Sequence, residues 1–98
     1  MTVRVVADNW IREDAVDEFL AAAQELVAQT HANDAGCLAY DLCRDTADPL
    51  HLTVIEEWES QEALDAHIAS DHFQRLFPAF GATAQDGRPG VIAIYELA

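Results

Sequence analysis

Residues 37–58 read CLAYDLCRDTADPLHLTVIEEW, and this stretch decides the fold. Cys37 to Arg44 alternates, with Leu38, Tyr40 and Leu42 on one face. Asp45 to Pro49 is rich in turn formers, and Leu52 to Trp58 is again β-prone, so the stretch predicts a hairpin. Upstream, from Asp14 to Thr30, the apolar Val16, Phe19, Leu20, Ala23, Leu26 and Val27 fall at helical spacing. Glu13, Asp14, Asp17 and Glu18 crowd the start of that helix, where its dipole favours anions. Asn33-Asp34-Ala35-Gly36 ends it, with Gly36 suited to a left-handed turn. Downstream, Ser60 is an N-cap for a helix carrying Ala63, Leu64, His67 and Ile68 on one side. Ser70 caps further helix bearing Phe73, Leu76, Phe77 and Phe80.

Val3 to Ala7, ending at the polar pair Asp8-Asn9, and Val91 to Leu97 supply two more strands. Gly81 to Gly90 is the loose, linker-like segment. The order is β-α-β-β-α-β, the ferredoxin-like split βαβ arrangement. It predicts an α+β fold, one four-stranded antiparallel sheet with helices on one face, as a single domain over residues 1–98. On the final strand, Val91, Ala93, Tyr95 and Leu97 oppose Ile92 and Ile94, so both sides are apolar. A sheet face that is apolar where water should meet it points to a partner, and the simplest partner is a second copy. A homodimer is expected.

Eighteen acidic residues stand against five basic ones, all Arg, for a formal charge of −13. That charge repels phosphate backbones and anionic lipid, so neither nucleic acid nor a membrane surface is expected as a partner. There is no leader pattern at Met1 and no long apolar run, which points to the cytoplasm. Cys37 and Cys43 on one strand would lie about 20 Å apart, far beyond disulfide reach. No Cys/His cluster has zinc spacing, no Gly-rich loop suits a phosphate, and no Gly-x-Ser-x-Gly elbow is present. His67 and His72 are five apart, off the three- or four-residue spacing of one helical face, so no metal is expected. His31 and His51 attract no role.

Glu56-Glu57-Trp58, Ser60-Gln61-Glu62-Ala63-Leu64, His67 and Ser70-Asp71-His72-Phe73, with Gly36-Cys37-Leu38 and Tyr40 upstream, resemble the antibiotic biosynthesis monooxygenase family of dimeric α+β barrels. The resemblance implies a dimer of ferredoxin-like subunits with a pocket between sheet and helices in each. Family members include enzymes that oxidise quinols or aromatic polyketides with O₂ and no bound cofactor. Others degrade haem, and some have no established activity. The haem-degrading relatives carry an axial His where this chain has Phe77 and a Trp where it has His67; only Asn9 of that trio is kept, which disfavours haem degradation.

Cofactor-free oxygenation needs a base for a phenol, polar contacts for the phenolate, and apolar walls. His67, on the apolar stripe of its helix, is the candidate base, with a hydrogen-bonded core histidine as the bland alternative. Asn9 is the candidate donor to a developing oxyanion, or else a turn residue at a strand end. Trp58, Tyr40, His72, Phe73 and Phe77 are expected around a small aromatic substrate, with Trp58 and Tyr40 equally readable as core aromatics. Glu56 reads as a solvated or interface charge with an Arg partner. The competing function is a non-catalytic dimer that binds a small hydrophobic molecule or serves a stress response.

Overall fold

A computed structural model describes residues 1–98. Strands β1 (Val3–Trp10), β2 (Cys37–Arg44), β3 (His51–Trp58) and β4 (Val91–Glu96) form one antiparallel sheet in the order β2-β3-β1-β4. Helices α1 (Val16–Asn33), α2 (Gln61–Ile68), α3 (Asp71–Leu76) and α4 (Pro78–Ala82) cover one face. The ferredoxin-like architecture is as the sequence predicts.

The period-2 rule assigns the two faces. Val3, Val5, Ala7 and Asn9 of β1, and Leu52, Val54, Glu56 and Trp58 of β3, are buried beneath the helices. Phe19, Ala23 and Leu26 of α1 close on them. Both serine caps are made: Ser60 Oγ accepts from Ala63 N at 3.1 Å and Ser70 Oγ from Phe73 N at 3.2 Å. Gly36 takes φ +80°, and a Cβ there would stand 2.7 Å from that of Ala63, so only glycine lets β2 start under α2.

Four expectations need correction. β1 runs to Trp10 rather than Ala7, because residues 8–10 still pair with Thr53, Leu52 and His51; Asn9 is therefore an inward strand residue, not a turn residue. Leu38 leaves the Tyr40–Leu42 face because a bulge between Cys37 and Ala39 makes it the extra residue, 56% exposed. The helical stretch after Ser70 divides into α3 and α4, with Pro78 opening the second. The loose segment is also shorter than Gly81–Gly90: α4 runs to Ala82, Ala84 bridges Ile11, and Gln85 N donates to Trp10 O.

β4 is an edge strand whose inward side is incompletely covered. Ile92 and Ile94 face the helices across from Ala7 and Val5, yet each is 52% exposed. They form the floor of the cleft described next. No helix is long and apolar enough to cross a membrane.

Candidate functional site

The cleft lies between the sheet and helices α2–α4, and Ile92 lines both of its lobes. The larger, about 220 Å³, is walled by Ala7, Asn9, Phe77, Phe80, Gly81 and Gly90. The smaller, about 40 Å³, is walled by Val5, Glu56, Leu64, His67, Phe73 and the two β4 isoleucines, among others. Phe73 and Phe77 stack with ring centroids 4.6 Å apart and an interplanar angle of 14°, giving one aromatic wall that spans the lobes.

His67 is 2% exposed. Its Nδ1 donates to Asp34 Oδ2 at 2.6 Å, which leaves Nε2 as a buried nitrogen with no partner in the protein. The pair fixes the tautomer, because a proton held on Nδ1 makes Nε2 a lone-pair acceptor. Burial lowers the proton affinity of the ring, and Asp34 partly offsets that. The ring is packed between Trp58, at 4.7 Å, and Phe73, at 5.0 Å.

Asp34 is the orienting residue that sequence reasoning passed over as a helix terminator. It also bonds His72, whose Nε2 lies 2.9 Å from Oδ1. The spacing argument against His67 and His72 meeting therefore fails. The chain turns at Ala69 and Ser70 between α2 and α3, so His72 swings back towards the carboxylate that holds His67. Ligand-type atoms of Asp34, His67 and His72 all lie within 4.8 Å of one another. Two imidazoles and a carboxylate are a donor set that divalent transition cations accept. Here each group already has a hydrogen-bond partner within the trio.

Glu56 is the second residue missed. Expected as a solvated or interface charge with an Arg partner, it is 6% exposed within the subunit and bonded to Trp58 Nε1 at 2.9 Å. Burial lifts its carboxyl to about 7, with the indole bond pulling the other way. The signal was available: Glu56 and Trp58 share the inward face of β3 with Leu52 and Val54.

Asn9 lines the larger lobe but not with its amide hydrogens, since Nδ2 donates to Ala7 O at 3.1 Å and Leu52 O at 3.3 Å. The amide hydrogens expected to meet a ligand are thus committed to the backbone, which leaves Oδ1 as the atom Asn9 has free. Trp58 is fully buried and lines neither lobe, so it supports His67 and Glu56 from beneath rather than stacking on a ligand. Tyr40 is buried as well and borders a separate groove with His31, Gln24 and Asp41. Burial raises its phenol, with Glu56 and Asp34 adding to the effect, so it stays protonated. Of the seven expected site residues, His67, Asn9, Phe73 and Phe77 line the cleft, and Trp58, Tyr40 and His72 do not. On the outer sheet face, His51 joins Asp45 at 2.9 Å and Asp8 at 2.7 Å, away from the cleft.

The antibiotic biosynthesis monooxygenase family model matches residues 2–79. The Mycobacterium tuberculosis protein Rv0793, named as a suspected monooxygenase, is 37% identical over 71 residues, 72% of this chain and 68% of its own length. The crystal structure of an antibiotic biosynthesis monooxygenase superposes with TM-score 0.88 at 38% identity, covering 98% of both chains. A conserved protein from Methanosarcina mazei Go1 gives TM-score 0.90 at 34% identity over 97% of this chain and 91% of that one. With the match running from β1 to the start of α4, the chain belongs to the antibiotic biosynthesis monooxygenase family.

Proposed function

We propose that the chain is a cofactor-free monooxygenase of a small aromatic phenol or quinol. One observation carries this reading: the unpartnered Nε2 of His67, its tautomer fixed by Asp34, beside an aromatic-walled cleft. A phenol in the cleft gives its proton to Nε2. The phenolate then passes one electron to O₂, the resulting superoxide and phenoxyl radical combine at a ring carbon bearing hydrogen, and the peroxide takes the proton back from Nε2. The hydroperoxide loses that C–H proton and its O–O bond breaks. One oxygen stays as a carbonyl and the other leaves as water, so phenol plus O₂ gives quinone plus water. The electron-rich ring is itself the reductant, and no metal or flavin enters the balance. The apolar walls hold the ring flat and keep water from the anion.

The test is O₂ uptake by chelator-treated, flavin-free protein over a panel of naphthoquinols and anthrones. Each run is set against a no-protein control for autoxidation. Uptake well above that control is expected. Binding of the same compounds without uptake would replace this reading by that of a small-molecule binding protein.

The outer sheet face supports a homodimer. Ile55, Val91 and Tyr95 are 47%, 52% and 56% exposed there among charged neighbours, and large apolar side chains left open on a sheet face mark an interface. Light scattering should give twice the 10.8 kDa of one chain. A mass of one chain at high protein concentration would exclude it.

A further inference from the structure

The side-chain N–H groups around the cleft are all engaged within the protein. Asn9 Nδ2 serves two backbone carbonyls, His67 Nδ1 serves Asp34, and Trp58 Nε1 serves Glu56. The side-chain groups left to meet a ligand are therefore acceptors, Asn9 Oδ1 in the larger lobe and the Glu56 carboxylate in the smaller, with His67 Nε2 buried at the wall of the latter. No Arg lines either lobe, so nothing there compensates an anionic substituent.

These acceptors sit at opposite ends of the cleft. Asn9 pairs with Leu52, and Val5, four residues back along β1, pairs with Glu56. Four residues of strand span about 13 Å. The two side chains thus spring from well-separated points of the sheet, so a ligand that meets both is elongated, on the order of a two-ring skeleton hydroxylated at its far ends.

We propose that the cleft selects by hydrogen-bond polarity: it takes uncharged aromatic molecules that donate a hydroxyl at each end, and it holds the same skeleton less tightly once a hydroxyl has become a carbonyl. This rests on the oxygenase reading for its consequence, product release, but not for its binding chemistry. A carbonyl set against Asn9 Oδ1 or the Glu56 carboxylate meets an acceptor with an acceptor, and the buried polar atom is left unpaired. Oxidation thereby removes the contact that held the substrate.

The experiment is anaerobic calorimetric titration, at about pH 8, with 2,6-dihydroxynaphthalene, 2-naphthol, 2,6-dimethoxynaphthalene and naphthalene. Each hydroxyl should tighten binding by about tenfold, and the dimethyl ether should bind no better than naphthalene. Comparable affinities for all four would overturn the proposal, as would an ether that binds as well as the diol. Two variants locate the acceptor. Asn9→Leu should reduce the diol to the affinity of 2-naphthol. Gly90→Ala should do the same while keeping the amide, because its Cβ would come within 2.9 Å of Asn9 Oδ1. A diol preference intact in both would also overturn the assignment. Because no O₂ is present, selective binding with no turnover in air upholds the polarity rule and removes only the oxygenase reading.

Discussion

Replacing His67 with Ala lowers turnover of a phenolic substrate by about 10²- to 10⁴-fold, the usual contribution of a positioned general base. Naphthalene, which makes no hydrogen bond to Nε2, should bind the variant with unchanged affinity. The same loss is expected of Asp34→Asn, for a different reason. An amide can offer an N–H where the carboxylate accepted one, and that forces the His67 proton onto Nε2. The ring then faces the substrate as a donor and cannot take its proton. Free imidazole added to the His67→Ala protein should restore part of the rate, since the deletion leaves a space walled by Trp58 and Phe73. Turnover within about threefold of wild type in His67→Ala would sink the assignment and turn attention to Glu56, the other proton acceptor in that lobe.

Most of the architecture was legible because it is written in short-range patterns. The alternation of Leu52–Trp58, the helical stripe from Val16 to Val27 and the two serine caps each depend on neighbours within a few residues. Ranking the site residues needed contacts that no local pattern encodes. Asp34 reaches His67 across 33 positions of sequence, and Asn9 reaches the Leu52 carbonyl across 43. Leu38 was misassigned because a bulge changes the face of a side chain without changing its residue type. His72 was misjudged because the spacing rule assumes one continuous helix, and the chain breaks at Ser70. Glu56 was the avoidable miss, since a charged residue on the buried face of a predicted strand contradicts burial preference and marks itself for inspection.

Glu56→Gln should stabilise the protein, and only above mildly acidic pH. Folding raises this carboxyl from 4.5 to about 7, so the folded state binds the proton more tightly than the unfolded one. Below the unfolded value both states are protonated and the residue costs nothing by this route. As pH rises, the unfolded state ionises first, and its favourable solvation opposes folding. The penalty grows from about pH 4.5 and is complete above about pH 7, where it reaches about 3 kcal/mol at 1.36 kcal/mol per pKa unit. Gln keeps the shape and an oxygen for the Trp58 indole N–H, yet has no charge to bury. Urea denaturation should therefore find the two proteins equally stable near pH 4 and the variant more stable by about 3 kcal/mol near pH 8. In thermal scans at the same pH, a domain of this length gains roughly 4–8 °C per kcal/mol. Equal stability at every pH would mean that the carboxylate is solvated or paired as the protein exists in solution. A gain at pH 8 with unchanged turnover would leave the proton transfer to His67 alone. If the gain comes with lost turnover, the buried acid belongs to the reaction, and its cost to the fold is what keeps an acceptor charged in an apolar lobe.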